Sequence, residues 1–194
     1  MSAPTQTLLA HTVWPEQRAT IARAALLALA GTALLALSAK VQVPFWPVQM
    51  TMQSYVVLLI GATLGARLGA ATVLLYLAEG ALGLPVFAGT PEKGLGLAYM
   101  MGPTGGYLVG FVAAAYVVGL LAERGWDRSI VRLFAAMALG HVIIFALGVA
   151  WLGQLVGLDK AWLAGVVPFY AATVFKTALG AVTLPAVWAL VARR

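Results

Sequence analysis

The sequence predicts an all-α integral membrane protein, with six transmembrane helices and structured external loops. Composition is the first observation: of 194 residues, 62% are hydrophobic and 9% are charged, far below the roughly 25% charged of soluble domains. Segmentation is the second, because apolar runs about one helix long alternate with short breaks carrying Gly, Pro or Arg. The third is the placement of basic residues, which gather in alternate breaks as the positive-inside rule requires. The length fits a single domain over 1–194 and leaves no space for a soluble nucleotide-binding module.

The first span is expected at 19–39, led in by Arg18 and Arg23. A cleavable leader is the competing reading, but the charge pattern works only if this run is retained as a span. Ala24, Ala28, Thr32 and Ala36 recur every four residues as a stripe of small side chains. Such a stripe lets another helix approach closely, either one of the protein's own spans or a second protein. Lys40–Gln49 has two prolines and two aromatics, cannot be regular helix, and reads as a structured loop. Spans at 50–65 and 67–83 follow, short beside the about 20 residues a crossing normally needs. The brief turn Gly65–Arg67 separates them, and spans at 104–122, 132–152 and 163–191 complete the set, the last entered through Pro168.

With six spans the termini share a face. That face carries Arg18, Arg23, Arg67, Arg124, Arg128, Arg132, Arg193 and Arg194, eight cations against Lys40, Lys93 and Lys160 on the other. The imbalance puts both termini in the cytoplasm of a multi-pass protein of the cell (inner) membrane. The net charge of +6 is therefore a topological signal. Scattered between apolar runs, it offers no face for nucleic acid.

The stretch Tyr76–Phe111, rich in Gly, Pro and aromatics, is too apolar for a solvated loop. Irregular backbone at membrane depth is tolerated only where it is buried in protein or lines a cavity, so the stretch is expected to border a binding site open to the exterior. Lys176 is the residue pointing most directly to a ligand. A lysine inside a span costs about 2.5–3.5 kcal/mol on insertion scales and usually faces a cavity or a partner. It reads either as half of an ion pair with Glu79 or as the group that meets an anionic substrate. Thr173 and Phe169 share its helix face. Glu79 is the one acid within a predicted span and can accept N–H donors, while Gln53 can both donate and accept. His141, alone in an apolar run with His11 far off in the N-terminal tail, reads as an interhelical hydrogen-bonder rather than a metal ligand.

Several chemistries are excluded. Without cysteine there are no disulfides, no Cys-ligated zinc and no thiol catalysis. G-x-S-x-G, H-E-x-x-H and Gly-Lys-Ser/Thr are all missing from the sequence, which argues against hydrolase, metalloprotease and ATPase activity in this chain. A membrane-embedded enzyme acting on a lipid or small molecule stays open as the alternative, with Glu79 as its acid or base.

VPFWPVQMTMQ (43–53), GLPVFAG (83–89) and GPTGGYLVGF (102–111) together resemble the biotin-specific S components of energy-coupling factor (ECF) transporters, the BioY family. The resemblance runs from the first span to the sixth. It implies an ECF S-component-like fold, biotin bound near the outer face beneath a lid, no cofactor, and partnership with a transmembrane coupling protein and two ATPase subunits. PFYAATVFK, Pro168–Lys176, is similar to the family's sixth-helix binding segment, with Lys176 in the place of its lysine. Many relatives carry aspartate where this chain has Thr173 and asparagine near Glu79, which leaves Glu79 as the carboxylate available to the ureido ring. Phe45, Phe87, Tyr107 and Phe169 are expected to enclose the bicycle, with the loop 84–99 as lid. Ala24 and Ala28 match the Ala-x-x-x-Ala surface by which the family meets its coupling protein.

Overall fold

The computed structural model describes residues 21–43 and 50–191; Phe45, Gln49, His11 and, from the charge count, Arg18, Arg193 and Arg194 lie outside them. The chain runs through α1 (Ile21–Lys40), a ribbon of β1 (Gln42–Val43) and β2 (Met50–Thr51), α2 (Gln53–Ala81), α3 (Gly96–Met100), α4 (Gly105–Ala122) and a 3-10 turn Trp126–Arg128. It continues through α5 (Ile130–Val156), α6 (Leu158–Gly165), a 3-10 turn Val167–Phe169 and α7 (Tyr170–Val191). Five stretches are long and apolar enough to cross a membrane: Ile21–Lys40, Gln53–Ala81, Gly105–Ala122, Ile130–Val156 and Leu158–Leu190. Apart from the ribbon, in which Gln42 faces Thr51 and Val43 faces Met50, the described fold is helical.

Gly65 divides α2. Its φ of 83° and ψ of 178° suit glycine and strain any side chain. In a straight helix Gln53 and Tyr76 would stand about 35 Å apart, yet Gln53 Nε2 donates to Tyr76 Oη at 2.8 Å. A Cβ on Gly69 would lie 3.0 Å from the Gly61 Cα. The chain therefore doubles back at Gly65 as a helical hairpin whose arms touch through glycine. Glu123 Oε1 accepts the Ala66 N–H at 2.8 Å, satisfying a donor at the start of the second arm, where the helix dipole favours a negative group.

Three boundaries differ from those expected. The first arm starts at Gln53, because Met50 and Thr51 pair into the ribbon. α5 runs on to Val156 and is stopped by Gly157, whose φ is 87°. The last long helix begins at Tyr170 rather than 163, since Pro168 sits in the 3-10 turn ahead of it and α6 is a separate short helix.

Close helix approach explains the glycines of GPTGGYLVG. Cβ atoms at Gly105 and Gly106 would strike the Met100 carbonyl, and the Leu147 carbonyl and Trp151, respectively; one at Gly110 would lie 2.9 Å from the Ile144 Cα. α4 is thereby seated against α5. On its other side α4 meets α2, where Gly61 abuts the Ala115 backbone and Gly119 abuts Ala66. Leu58, Val118, Leu133 and Met137 fill the space between, while Leu29, Leu37, Val142, Phe175 and Leu190 point outward, as lipid-facing positions do. At the hairpin end, buried Asp127 accepts the Trp188 indole N–H at 2.6 Å, and Arg128 stacks on that ring at 4.6 Å, fixing the end of α7.

Candidate functional site

Lys176 is buried, 7% exposed, and its ammonium donates to Ser54 Oγ at 3.2 Å. Ser54 and Gln53 open α2, so the lysine faces the polar start of the hairpin. Gln53, also buried, donates to Tyr76 Oη at 2.8 Å, and Tyr76 donates onward to the Val86 carbonyl at 2.8 Å. Glu79 is half-buried one turn after Tyr76 on the same helix face. Gln53 and Lys176, both singled out from sequence, thus meet at the start of α2 through Tyr76 and Ser54, and Glu79 follows Tyr76 by one turn. No ion pair joins Lys176 to Glu79. Thr173 and Phe169, both half-buried, precede Lys176 by one and two turns.

The residue after Lys176 ties α7 to α5. Thr177 Oγ1 lies 3.1 Å from His141 Nδ1 and donates to the Thr173 carbonyl at 2.8 Å, while His141 Nδ1 also lies 3.1 Å from the Met137 carbonyl. With its proton on Nδ1, His141 serves both acceptors and ties α7 to α5. This is the interhelical role expected of it.

The loop 82–95 has no ladder of its own, so its carbonyls need other partners. Side chains supply them. Tyr76 holds Val86 O, Tyr99 holds Ala88 O at 2.8 Å, and Lys40 Nζ reaches Phe87 O at 3.1 Å, Thr90 O at 2.6 Å and Thr90 Oγ1 at 2.9 Å. A tyrosine hydroxyl is protonated at neutral pH, and burial pushes the Tyr99 phenol further up. Sequence reasoning missed Tyr76, Tyr99 and Ser54, and read Lys40 only as a topological charge. The available signal was a tyrosine in an apolar setting, whose hydroxyl must find a partner when buried.

The remaining expected site residues among those described make the following contacts. Phe87 is only 1% exposed; it meets Tyr76 edge-on at 5.4 Å, stacks on Tyr99 at 5.0 Å and presses on Gly80. It anchors the loop in the protein's own core, so the loop it belongs to is held down along 86–90. Tyr107 packs on Gly148 and Phe145 and donates to the Gly165 carbonyl at 3.1 Å, joining α4 to α5 and the end of α6. Ala28 is buried with Thr32 and Leu35 on the face of α1 turned toward the chain's own helices, and Ala24 is half-buried. Of the four-residue stripe, Ala28 and Thr32 are buried and Ala24 and Ala36 half-buried. Among the described residues no group of three or more His, Cys, Asp or Glu comes together. What the site offers is one cation, one amide, one carboxylate and aromatic walls, which suits an amphipathic anion carrying hydrogen-bonding N–H and C=O groups.

Comparison with known proteins agrees. The model of the BioY family matches residues 9–193. A probable biotin transporter BioY of Pyrococcus horikoshii is 39% identical over 146 residues, covering 75% of this chain and 84% of the relative. The biotin transporter BioY of Thermotoga maritima is 43% identical over 139 residues, covering 71% and 79%. The crystal structure, at 2.1 Å, of an S-component for biotin from an ECF-type ABC transporter superposes with a TM-score of 0.72 at 22% identity, over 87% of this chain and 92% of that one; it shares the fold. The chain is a multi-pass membrane protein and belongs to the BioY family.

Proposed function

We propose that the chain is the biotin-binding membrane subunit of an ECF-type vitamin uptake transporter, capturing biotin from the external side. The observation that carries this reading is Lys176: a cation buried in a membrane helix and hydrogen-bonded to the neutral hydroxyl of Ser54, the residue next to the buried amide of Gln53. Burial of such a charge is unfavourable until an anion accompanies it. Biotin brings a carboxylate for Lys176, ureido N–H and C=O groups for Glu79 and Gln53, and an apolar bicycle. Phe169, Tyr107 and Phe45 are assigned to the bicycle's surroundings, Thr173 to the rim beside Lys176, and Phe87 to the wall behind the loop. The subunit binds and does not catalyse; biotin is its transported ligand, and no cofactor is indicated.

Six crossings in one domain over 1–194 fit this role, with the two arms of α2 each crossing once. The reversal at Gly65 and the Gly61–Gly69 contact support that division. Eight cations against three support cytoplasmic termini. A coupling protein and two ATPase subunits complete the transporter and hydrolyse the ATP. The test is to purify the chain in detergent, identify any co-purifying small molecule by mass spectrometry and titrate biotin by calorimetry. Saturable one-site binding of biotin is expected; no heat with biotin and a different co-purifying molecule would overturn the reading.

A further inference from the structure

The bonds holding the loop 82–95 differ in kind. At 86–88 the ties to Val86 O and Ala88 O come from core groups, buried Tyr76 and Tyr99, with the Phe87 ring locked between them, and Lys40 reaches only the Phe87 carbonyl there. Beyond residue 88, among the described residues, the side-chain tie from another element is Lys40, the last residue of α1, whose ammonium donates to Thr90 O and Thr90 Oγ1 as well as to Phe87 O. Lys40 is exposed, so water competes for these bonds and the tie can open without disturbing the core. The segment it fixes is built to move once released. Gly89 and Gly94 lie in it with φ of 72° and 98°; buried Thr90 is turned back onto the Phe87 carbonyl by its N–H at 3.3 Å and its hydroxyl at 2.7 Å, and beyond it the internal bonds are Lys93 N–H to Gly89 O at 2.8 Å and Gly94 N–H to Pro91 O at 2.9 Å. The same loop is joined to the Gln53–Tyr76 pair through Val86.

We propose that Lys40 is a positioning residue that latches the outer half of this loop, 89–95, beside the Gln53–Tyr76–Lys176 site, so that a bound ligand leaves only after the latch opens. The inner half, 84–88, is permanent wall. The lid expected over 84–99 is thereby reduced to the segment that Lys40 controls. The proposal rests on the biotin reading above for its ligand, but the latch itself is tested without one.

The experiment uses the full chain in detergent, as wild type, Lys40→Gln and Lys40→Arg. Hydrogen exchange of the ligand-free proteins should show faster exchange over 89–95 in Lys40→Gln, no change over 84–88, an unchanged thermal midpoint, and partial rescue in Lys40→Arg. Chase of radiolabelled biotin should show an off-rate about ten-fold higher in Lys40→Gln, the equivalent of one net charge-assisted hydrogen bond, with the on-rate little altered. Thr90→Val, which removes one acceptor of Lys40 and the hydroxyl's own bond to Phe87 O but leaves both carbonyls to Lys40, should also speed exchange over 89–95, with a smaller rise in the off-rate. Unchanged exchange over 89–95 in Lys40→Gln overturns the latch. Faster exchange with an unchanged off-rate leaves the bonds merely structural and overturns the positioning role. Failure of the wild type to bind biotin overturns the functional reading instead, and the exchange result still decides whether the latch exists.

Discussion

Lys176→Ala should weaken biotin binding by about one to two orders of magnitude without unfolding the protein. A hydrogen bond to a charged group contributes roughly 1.5–3 kcal/mol, and about 1.4 kcal/mol is one decade of affinity. The ligand-free protein should tolerate the change, because the substitution gives up a 3.2 Å bond to the Ser54 hydroxyl and at the same time removes a buried cation that has no carboxylate partner. Its thermal midpoint should therefore hold or rise. Isothermal titration with biotin and with biotin amide, each against wild type and variant, isolates the charge contact as a coupling energy. The acid should lose the full one to two decades and the amide less than about threefold. Equal losses for acid and amide, or a collapsed thermal midpoint, would refute the assignment of Lys176 to the carboxylate.

Further substitutions test the surrounding structure. Gly80→Val places side-chain atoms where the Phe87 ring lies and should lower stability by about 1–3 kcal/mol, read as a fall in the thermal midpoint together with faster exchange over 84–88. Ala28→Leu should destabilise the isolated subunit by a similar amount, since Ala28 is buried, whereas Ala25→Leu on the exposed side of α1 should not; equal stability of the two variants would show that Ala28 is not packed internally. Tyr76→Phe removes the acceptor for Gln53 and the donor to Val86, and should lower biotin affinity about ten-fold while exchange rises at 84–88. Trp188→Phe strips buried Asp127 of its 2.6 Å donor, costing about 1–3 kcal/mol at the hairpin end with biotin affinity unaltered.

The polar members of the site were legible because a charge or a polar amide in an apolar helix is rare enough to stand out. Lys176, Glu79 and Gln53 each stand out that way, and the turn at Gly65 announces itself as Gly-Ala-Arg between two apolar runs. The aromatic residues were not legible in the same sense. Phe87 in GLPVFAG has the same sequence signature whether it packs on a ligand or on Tyr76 and Tyr99, and only coordinates separate the two. The small-residue stripe of α1 has a similar ambiguity, because a four-residue period names a close-packed face without naming what packs there. Lys40 was read through topology alone; its three acceptors lie 47 to 50 positions away, beyond any local pattern. The start of the last helix was misplaced because Trp162 and Leu163 are as apolar as a span, and the break comes from the local geometry at Pro168.

A structure of the chain with biotin bound would decide whether Lys176 and its neighbours form the binding site. The carboxylate should lie within hydrogen-bond distance of Lys176 Nζ, with the ureido ring against Gln53 and Glu79. A carboxylate turned away from Lys176, or biotin seated outside the region between α7, the start of α2 and the loop 82–95, would contradict that assignment.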